Sequence, residues 1–550
     1  MAKRTVVSEI TPEHPIAPYL WANTSGSRAV RNRANFIIRN TMTGIRKSPE
    51  DRTHNETEAL HTVFTGIQKA NAAKKGRREG AARKGVLEVI RLKKKGLQAH
   101  ACIHKAMEKA EVPIPYPDLH HWFLGFETLD AILKYTKDPA YYSCTSQVNQ
   151  QAIRKTVASW TSYFKALREW RKSRGKFKSV PRIPGYLKGK EATAHFTMQV
   201  CKLLSDNGKL YLSFTGCTVP LCVGDSSLVS GEYVCTEVKP FYGRYRLYVT
   251  YDDGIPVPEI PENPSRGLGL DPGLGNFLTG LSNTGEAPFV VRGGWLKSIN
   301  QWYNKRKAEL QARMEKGGKG QDSHALRSLS IRRERMIREF FYKTAHWIMR
   351  WCIANRIEVV VIGHNDDQKQ EINIGGRNNQ NFVCIPFSRF ISILKIVACR
   401  YGIPVVDREE SYTSKASLLD MDPIPVHGAK DADKAAFTGK RVQRGLYRAS
   451  DGRTLNADVN GAGNILRKEY PRIFDGADLA AACGKVTVVT GERLLGIKRK
   501  DAPVHYRKRP GAGAVERHER RKERRQELQM LWGKWDKPKK KTEKTAENVA

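Results

Sequence analysis

No C-x-x-C pair occurs in this sequence, and its ten cysteines fall at irregular spacings. That pattern fits reduced thiols in a cytosolic protein and argues against a disulfide framework. No apolar run is long enough to span a bilayer. The opening MAKRTVVSEI has a basic pair with no apolar stretch behind it, so no secretory signal is expected. Acid is also scarce: 56 Asp and Glu stand against 95 Lys and Arg, a net charge of +39. The basic residues run along the whole chain instead of lining one amphipathic helix. A long polyanion therefore fits better than a membrane surface or an acidic protein, and nucleic acid is the commonest such partner. On composition alone, a ribosomal or chromatin-type binder without chemistry fits as well.

What is present points to several structural units. A chain of 550 residues with 40% apolar content is too long for one core. Residues 1–25 hold a β-prone piece, Thr5 to Ile10, and then a proline-broken loop. From 26 to about 175 the pattern is helical and basic. In Gln147–Arg171, Ile153, Val157, Trp160, Phe164 and Leu167 recur at steps of four and three, one face of a helix. GKFKSVPRIPGYLKGK reads as a linker, and residues 192–252 as short strands separated by turns, a small barrel or sandwich. A proline-rich linker closes this unit near 266. From 267 to about 470 the reading is α/β, with apolar strands at 268–271 and 357–362, helices within 295–355 and around 387–401, and a short strand at 403–406. A basic tail with little to bury closes the sequence.

Phosphodiester cleavage with two divalent ions needs carboxylates that converge from separate parts of the chain on ions about 4 Å apart. Mg²⁺ favours such hard oxygen ligands. Acidic residues at the ends of apolar strands are the natural candidates. Asp271 follows Leu268-Gly269-Leu270 and precedes Pro272-Gly273, although D-P-G is also an ordinary turn. Asp458 lies in LNADVNGAGNIL. There Asn456 is a candidate helix cap that would put Asp458 in the first turn, near the positive end of the helix dipole. An acidic residue in that place can also serve the helix alone.

Read in order, PRIPGYLKGK, GLGLDPGLGNFLTGL, VVVIGHN, EESYTSKASLLD and RGLYRASDGRTLNADVNGAGNIL resemble the TnpB family of transposon-encoded RNA-guided nucleases, related to the small type V CRISPR effectors. The resemblance covers roughly 145–470. It implies a multidomain α+β and α/β protein: a helical recognition lobe, a small β-barrel wedge domain and an RNase H-like RuvC nuclease domain. The corresponding boundaries are 1–25 for a first wedge segment, 26–178 recognition, 179–266 wedge and 267–415 RuvC. A target-nucleic-acid-binding insert at 416–445, the rest of RuvC at 446–480 and a basic tail at 481–550 follow. The implied partners are a guide RNA and double-stranded target DNA that forms a heteroduplex with it, with a short flanking motif read by protein. The implied setting is the prokaryotic cytoplasm at the nucleoid. By this resemblance Asp271 and Asp458 are the first and third catalytic carboxylates and hold two Mg²⁺ ions, with Mn²⁺ as an alternative.

The second carboxylate departs from the common pattern. Most relatives carry Glu just after the strand matching 357–362, whereas here Gly363-His364-Asn365 follows. The nuclease is inactive, or Asp366 or Asp367 substitutes, or a relocated glutamate fills the gap, as EESYTSKAS suggests from its likeness to members with such a shift. If the sheet has the RNase H-like order, the strand ending near 406 lies beside that ending at 362, which lies beside the strand of Asp271. Neighbouring strands are about 4.8 Å apart, so Glu410 begins roughly 10 Å from the first strand, and a long side chain crossing Gly363 can close that distance. Glu410 is favoured over Glu409 because it directly precedes SYTS.

Many relatives bind zinc through two cysteine pairs in the insert. Residues 416–445 hold no cysteine and only His427, which argues against zinc. Lys430, Lys434, Lys440, Arg441 and Arg444 are candidate DNA contacts there. On the helices of 295–355, Lys305, Arg306, Arg332, Arg333 and Arg335 are candidate heteroduplex contacts, with Ile337, Phe340, Phe341 and Ile348 as the face toward the sheet. For individual tryptophans such as Trp160, core packing is favoured over base stacking. The leading expectation is an RNA-guided, Mg²⁺-dependent DNA endonuclease. The alternatives are a nuclease-inactive guided DNA binder and a guide-independent RNase H-like transposase or resolvase.

Overall fold

The chain divides into two units, Met1–Val257 and Pro258–Ala550, within the proline-rich linker. A computed structural model describes residues 3–94, 113–177, 179–273, 275–317, 322–364, 385–426, 436–443 and 445–497. No helix among them is long and apolar enough to cross a membrane.

In the first unit β1 (Lys3–Ile10) leads into α1 (Ala17–Gly44), α2 (His54–Lys94), α3 (Phe126–Tyr135) and α4 (Ser146–Lys172). The expected loop before residue 26 is thus mostly helix. Pro18 sits in the first turn of α1, where its missing N–H is no loss and its fixed φ suits the helix. The stripe read on α4 is the packing face: Ile153 and Trp160 are fully buried, with Val157 and Phe164 against the same cluster. Trp160 Nε1 donates to Asn35 Oδ1 at 2.8 Å, so this indole belongs to the core.

The strands that follow are β2 (Ala194–Thr197), β3 (Cys201–Asp206), β4 (Lys209–Phe214), β5 (Leu221–Asp225), β6 (Glu232–Phe241) and β7 (Arg244–Asp252). They form two open antiparallel sheets, β1-β7-β6-β2 and β3-β4-β5. No closed barrel is found among the described residues. The two sheets share one apolar core, in which Phe196, Leu212, Phe214, Val238, Leu247 and Val249 are buried. Each such side chain is worth about 1.5–3 kcal/mol on burial.

The second unit is built on β8 (Gly267–Pro272), β9 (Asn276–Ser282), β10 (Phe289–Arg292), β11 (Val359–Gly363) and β12 (Val405–Arg408), with β13 (Lys440–Gln443), β14 (Leu446–Arg448), β15 (Thr454–Asn456) and β16 (Thr487–Val489). Its main sheet runs β12-β11-β8-β9-β10-β16. Pairs β8–β9 and β9–β10 are antiparallel, while β11 and β12 extend the sheet in parallel from β8. The adjacency of β12, β11 and β8 is the one anticipated. Strand β16 pairs in parallel with β10, so the expected basic tail begins later than 481. Val489 supplies the reason, since it is fully buried in the main core.

The helices are α5 (Gly294–Lys316), α6 (His324–Ala354), α7 (Phe387–Arg400), α8 (Ala457–Glu469), α9 (Ala480–Cys483) and α10 (Gly491–Leu495). Every residue of β11 is buried, and they alternate between two cores, as a covered parallel strand must. Val360 and Ile362 join Ile337, Phe340, Phe341 and Ile348 of α6 on one face. Val359 and Val361 join Val459, Ala462, Ile465 and Leu466 of α8 on the other.

Candidate active site

The pleat decides where Asp271 goes. Side chains of a strand alternate in direction, so Asp271 shares the α8 face with Gly267 and Gly269. Those glycines let α8 lie against β8. A Cβ on Gly269 would stand 2.0 Å from the Ala462 carbonyl oxygen. One residue pair further, a Cβ on Gly461 would lie 2.6 Å from Asp271 Oδ2. The first carboxylate is therefore seated against a helix that has no side chain at the point of contact.

Asp458 enters from the first turn of α8. Asn456 caps that helix, its side chain accepting from the N–H groups of Asp458 and Val459. Asn276, at the start of β9, donates from Nδ2 to Asp458 Oδ2 at 2.7 Å. Sequence reasoning misses Asn276. Its only signal is an amide a few residues beyond Asp271 at the start of the next apolar strand.

Glu410 closes the set. Gly363 pairs with Arg408 at the end of β11–β12, two residues before Glu410. A Cβ at Gly363 would meet Glu410 Cγ at 2.6 Å and Glu410 Oε1 at 2.7 Å. The glutamate side chain thus lies across the glycine, on the α8 face. Glu409 turns elsewhere. Its carboxylate accepts from Lys468 Nζ at 2.6 Å and from the Ser411 N–H at 2.7 Å. Burial opposes ionisation of Glu409, but these donors hold its pKa below the usual range. Asp366, Asp367, His427, Lys430, Lys434 and Arg444 lie outside the described residues.

The three carboxylates interact. Burial, then Glu410, then Asp458 raise the pKa of Asp271 well above the ordinary carboxylate value, opposed by the positive charge of Arg441 on β13. Among the described residues no group of three or more His, Cys, Asp or Glu is gathered closely enough for one metal ion. The oxygens of Asp271, Glu410 and Asp458 are the donors Mg²⁺ and Mn²⁺ prefer, and a divalent cation would offset both the burial and the neighbouring carboxylates that raise Asp271.

The basic residues of α5 and α6 divide into two kinds. Lys305, Arg332 and Arg335 are exposed, and Arg332 lies over the Trp302 ring at 5.4 Å. Arg306 pairs with Glu309 at 2.7 Å. Arg333 turns inward instead, donating to Asn300 Oδ1 at 2.8 Å and covering Tyr303. It ties the two helices together.

Two family models match this chain. OrfB_IS605, described as a probable transposase, matches residues 248–368, and the Cas12f1-like TNB domain matches residues 387–465. They cover β8, Asp271, Gly363, Glu410 and Asp458, and the likeness to TnpB proteins and small type V effectors stands on them. Solved structures similar to the chain include a Cas12f1–sgRNA–target DNA complex, 14% identical over 74% of this chain and 82% of that one, with a TM-score of 0.39. A CRISPR–Cas12f ternary complex is 14% identical over 74% and 81%, with a TM-score of 0.29. An AacC2c1–sgRNA–extended non-target DNA complex is 8% identical over 78% and 71%, with a TM-score of 0.24. No curated protein matches the chain.

Proposed function

We propose that this chain is an RNA-guided DNA endonuclease with one RuvC-type site formed by Asp271, Glu410 and Asp458. The observation that carries the reading is the Glu410 side chain lying over Gly363, on the same face as Asp271 and beside α8, whose first turn carries Asp458. The likeness to TnpB proteins and small type V effectors supports it, as does a sheet of three antiparallel strands extended by two parallel ones, the RNase H-like order. On this reading the RuvC domain takes in 267–415, 446–480 and the further strand β16, with 416–445 as the nucleic-acid-binding insert. The helical part of the first unit is the recognition lobe, and its sheets are the wedge. The partners are a guide RNA and the DNA that pairs with it, and the net charge of +39 suits a large polyanion.

Asp271, Glu410 and Asp458 would hold two Mg²⁺ ions, which when bound would supply an acidified water and positive charge for the leaving 3′-oxygen. The chain's own residues prepare that chemistry. Asn276 fixes the rotamer of Asp458 at the capped N-terminus of α8. Arg441 on β13 keeps positive charge near Asp271.

Purified protein with guide RNA and Mg²⁺, offered a matching plasmid, is expected to cut it. Asp271→Ala is expected to abolish cutting while guided DNA binding persists. If Asp271→Ala still cuts, the site is misassigned. If the wild-type protein binds guided DNA but neither nicks nor cuts it, the chain is a nuclease-inactive binder.

A further inference from the structure

A glutamate at the end of a strand is positioned by the hydrogen bonds of its sheet. Glu410 lies beyond that ladder, because β12 ends at Arg408 and the segment that follows is a loop. Two residues later Tyr412 has φ +66°, a left-handed conformation that costs a residue with a side chain and must be held from outside. Something other than the sheet sets the place of this carboxylate.

The loop is held by one face of α8. Asn460, Asn464 and Lys468 recur every four residues, so they line one side of the helix. Asn460 donates from Nδ2 to the Ala416 carbonyl at 2.8 Å and accepts from the Leu418 N–H at 2.9 Å. Asn464 Nδ2 donates to the Thr413 carbonyl at 2.9 Å and to that of Ala416 at 2.7 Å. Lys468 Nζ reaches the residues on both sides of Glu410, donating to Glu409 Oε2 at 2.6 Å and to the Ser411 carbonyl at 2.8 Å. Its side chain is 3% exposed. The asparagines secure the far part of the loop, Thr413 donates from its N–H and Oγ1 to the Glu410 carbonyl at 3.2 and 2.8 Å, and the lysine grips the residues on both sides of the glutamate.

We propose that Lys468 is the positioning residue of the relocated glutamate, gripping Glu409 and Ser411 so that Glu410 is directed across Gly363. The proposal rests on Glu410 being a metal-binding carboxylate. It assigns a purpose to the second acid of the Glu409-Glu410 pair: Glu409 is the handle and Glu410 the ligand. It also places two carboxylates under the control of one rigid helix, which carries Asp458 in its first turn and Lys468 in its last. At 1.5 Å per residue those positions are about 15 Å apart, so Lys468 acts on the site only through the loop it grips.

The test measures metal binding by the full-length chain, freed of nucleic acid, with Mn²⁺ followed by electron paramagnetic resonance. Amide hydrogen exchange of residues 409–416 is followed in parallel. Lys468→Met keeps the apolar stem and removes the ammonium. It is expected to weaken Mn²⁺ binding about 10–100-fold, as for other residues that orient a metal ligand, and to speed exchange in the loop. Lys468→Arg, which retains charge and donors, is expected to restore most of both. A folded Lys468→Met protein that binds Mn²⁺ like the wild type overturns the proposal. If that variant does not fold, Glu409→Gln decides: severalfold weaker binding supports the proposal and unchanged binding overturns it. Glu410→Gln separates the two levels. Unchanged Mn²⁺ binding there removes the reading of Glu410 as a ligand, whereas weakened binding there with an unaffected Lys468→Met removes only the role of the lysine.

Discussion

Replacing Gly363 by alanine is the most direct probe of the site. The new methyl carbon would stand 2.6 Å from Glu410 Cγ, 2.7 Å from Glu410 Oε1 and 2.7 Å from Ile465 Cδ1. Ordinary contact between such atoms begins near 3.4 Å, so the glutamate must withdraw by about 1 Å. A displacement of that size in a catalytic group costs about 100-fold in rate. The fold loses little, because the three nearest atoms all belong to the side chains of Glu410 and Ile465 and none to backbone. Overpacking here costs about 1 kcal/mol, the low end of its range, partly offset by the entropy lost with a strand glycine. The melting temperature is therefore expected to move by no more than about 2–4 °C. Cleavage of a guide-matched plasmid is expected to fall about 100-fold, with guided DNA binding unchanged in a mobility-shift assay. A Gly363→Ala protein that cuts at the wild-type rate would refute the idea that Glu410 acts from across this glycine.

Three further outcomes follow from the same geometry and from the first unit. The double substitution Gly363→Glu with Glu410→Gly returns the carboxylate to the strand end, where most relatives carry it, and is expected to cut faster than either single variant; equal or slower cutting counts against exchange of the two positions. Asn276→Leu removes the 2.7 Å bond to Asp458 and is expected to slow cleavage about tenfold without weakening guided binding. His195 is held up to about 9 by hydrogen bonds to Cys235 and Glu237, against the effect of burial. Its charged form therefore stabilises the fold fully below about pH 6.5, and this contribution disappears as pH rises through about 9. Wild-type melting should therefore decline over that window while His195→Gln stays flatter.

Residues whose environment is local along the chain are legible in the sequence alone. The stripe on α4, the cap at Asn456 and the break between α5 and α6 all follow from helix periodicity, capping chemistry and glycine. The start of α1 is harder to read, because proline suggests a break although in a first turn it favours the helix. Strand β16 escapes because TVV is too short to carry a period and is recognised only by its pairing with β10. Strand count leaves a small barrel and a sandwich open, since strand number does not determine closure; among the described residues two open sheets share one apolar core. Asn276 and Lys468 stay hidden because their partners lie 182 and 59 residues away, at Asp458 and Glu409. No local pattern encodes a contact over such a distance.

The glycines carry the argument that the acidic residues alone could not. Gly269, Gly461 and Gly363 each stand where a Cβ would strike a neighbour, namely the Ala462 carbonyl, Asp271 and Glu410. The first brings α8 onto β8, the second seats Asp271 against that helix, and the third opens the path for a carboxylate from the loop after β12. Gly363 read alone looks like the loss of a catalytic group. Paired with Glu410 it is a vacated volume, and the methylenes of the glutamate fill it. On the proposed reading either change without the other damages the site: a glutamate at 363 would clash with Glu410, and a glycine at 363 without Glu410 would leave Asp271 and Asp458 without their third carboxylate. Coupling of that kind makes the two positions a single feature. The exchange of both residues therefore tests more than either substitution alone.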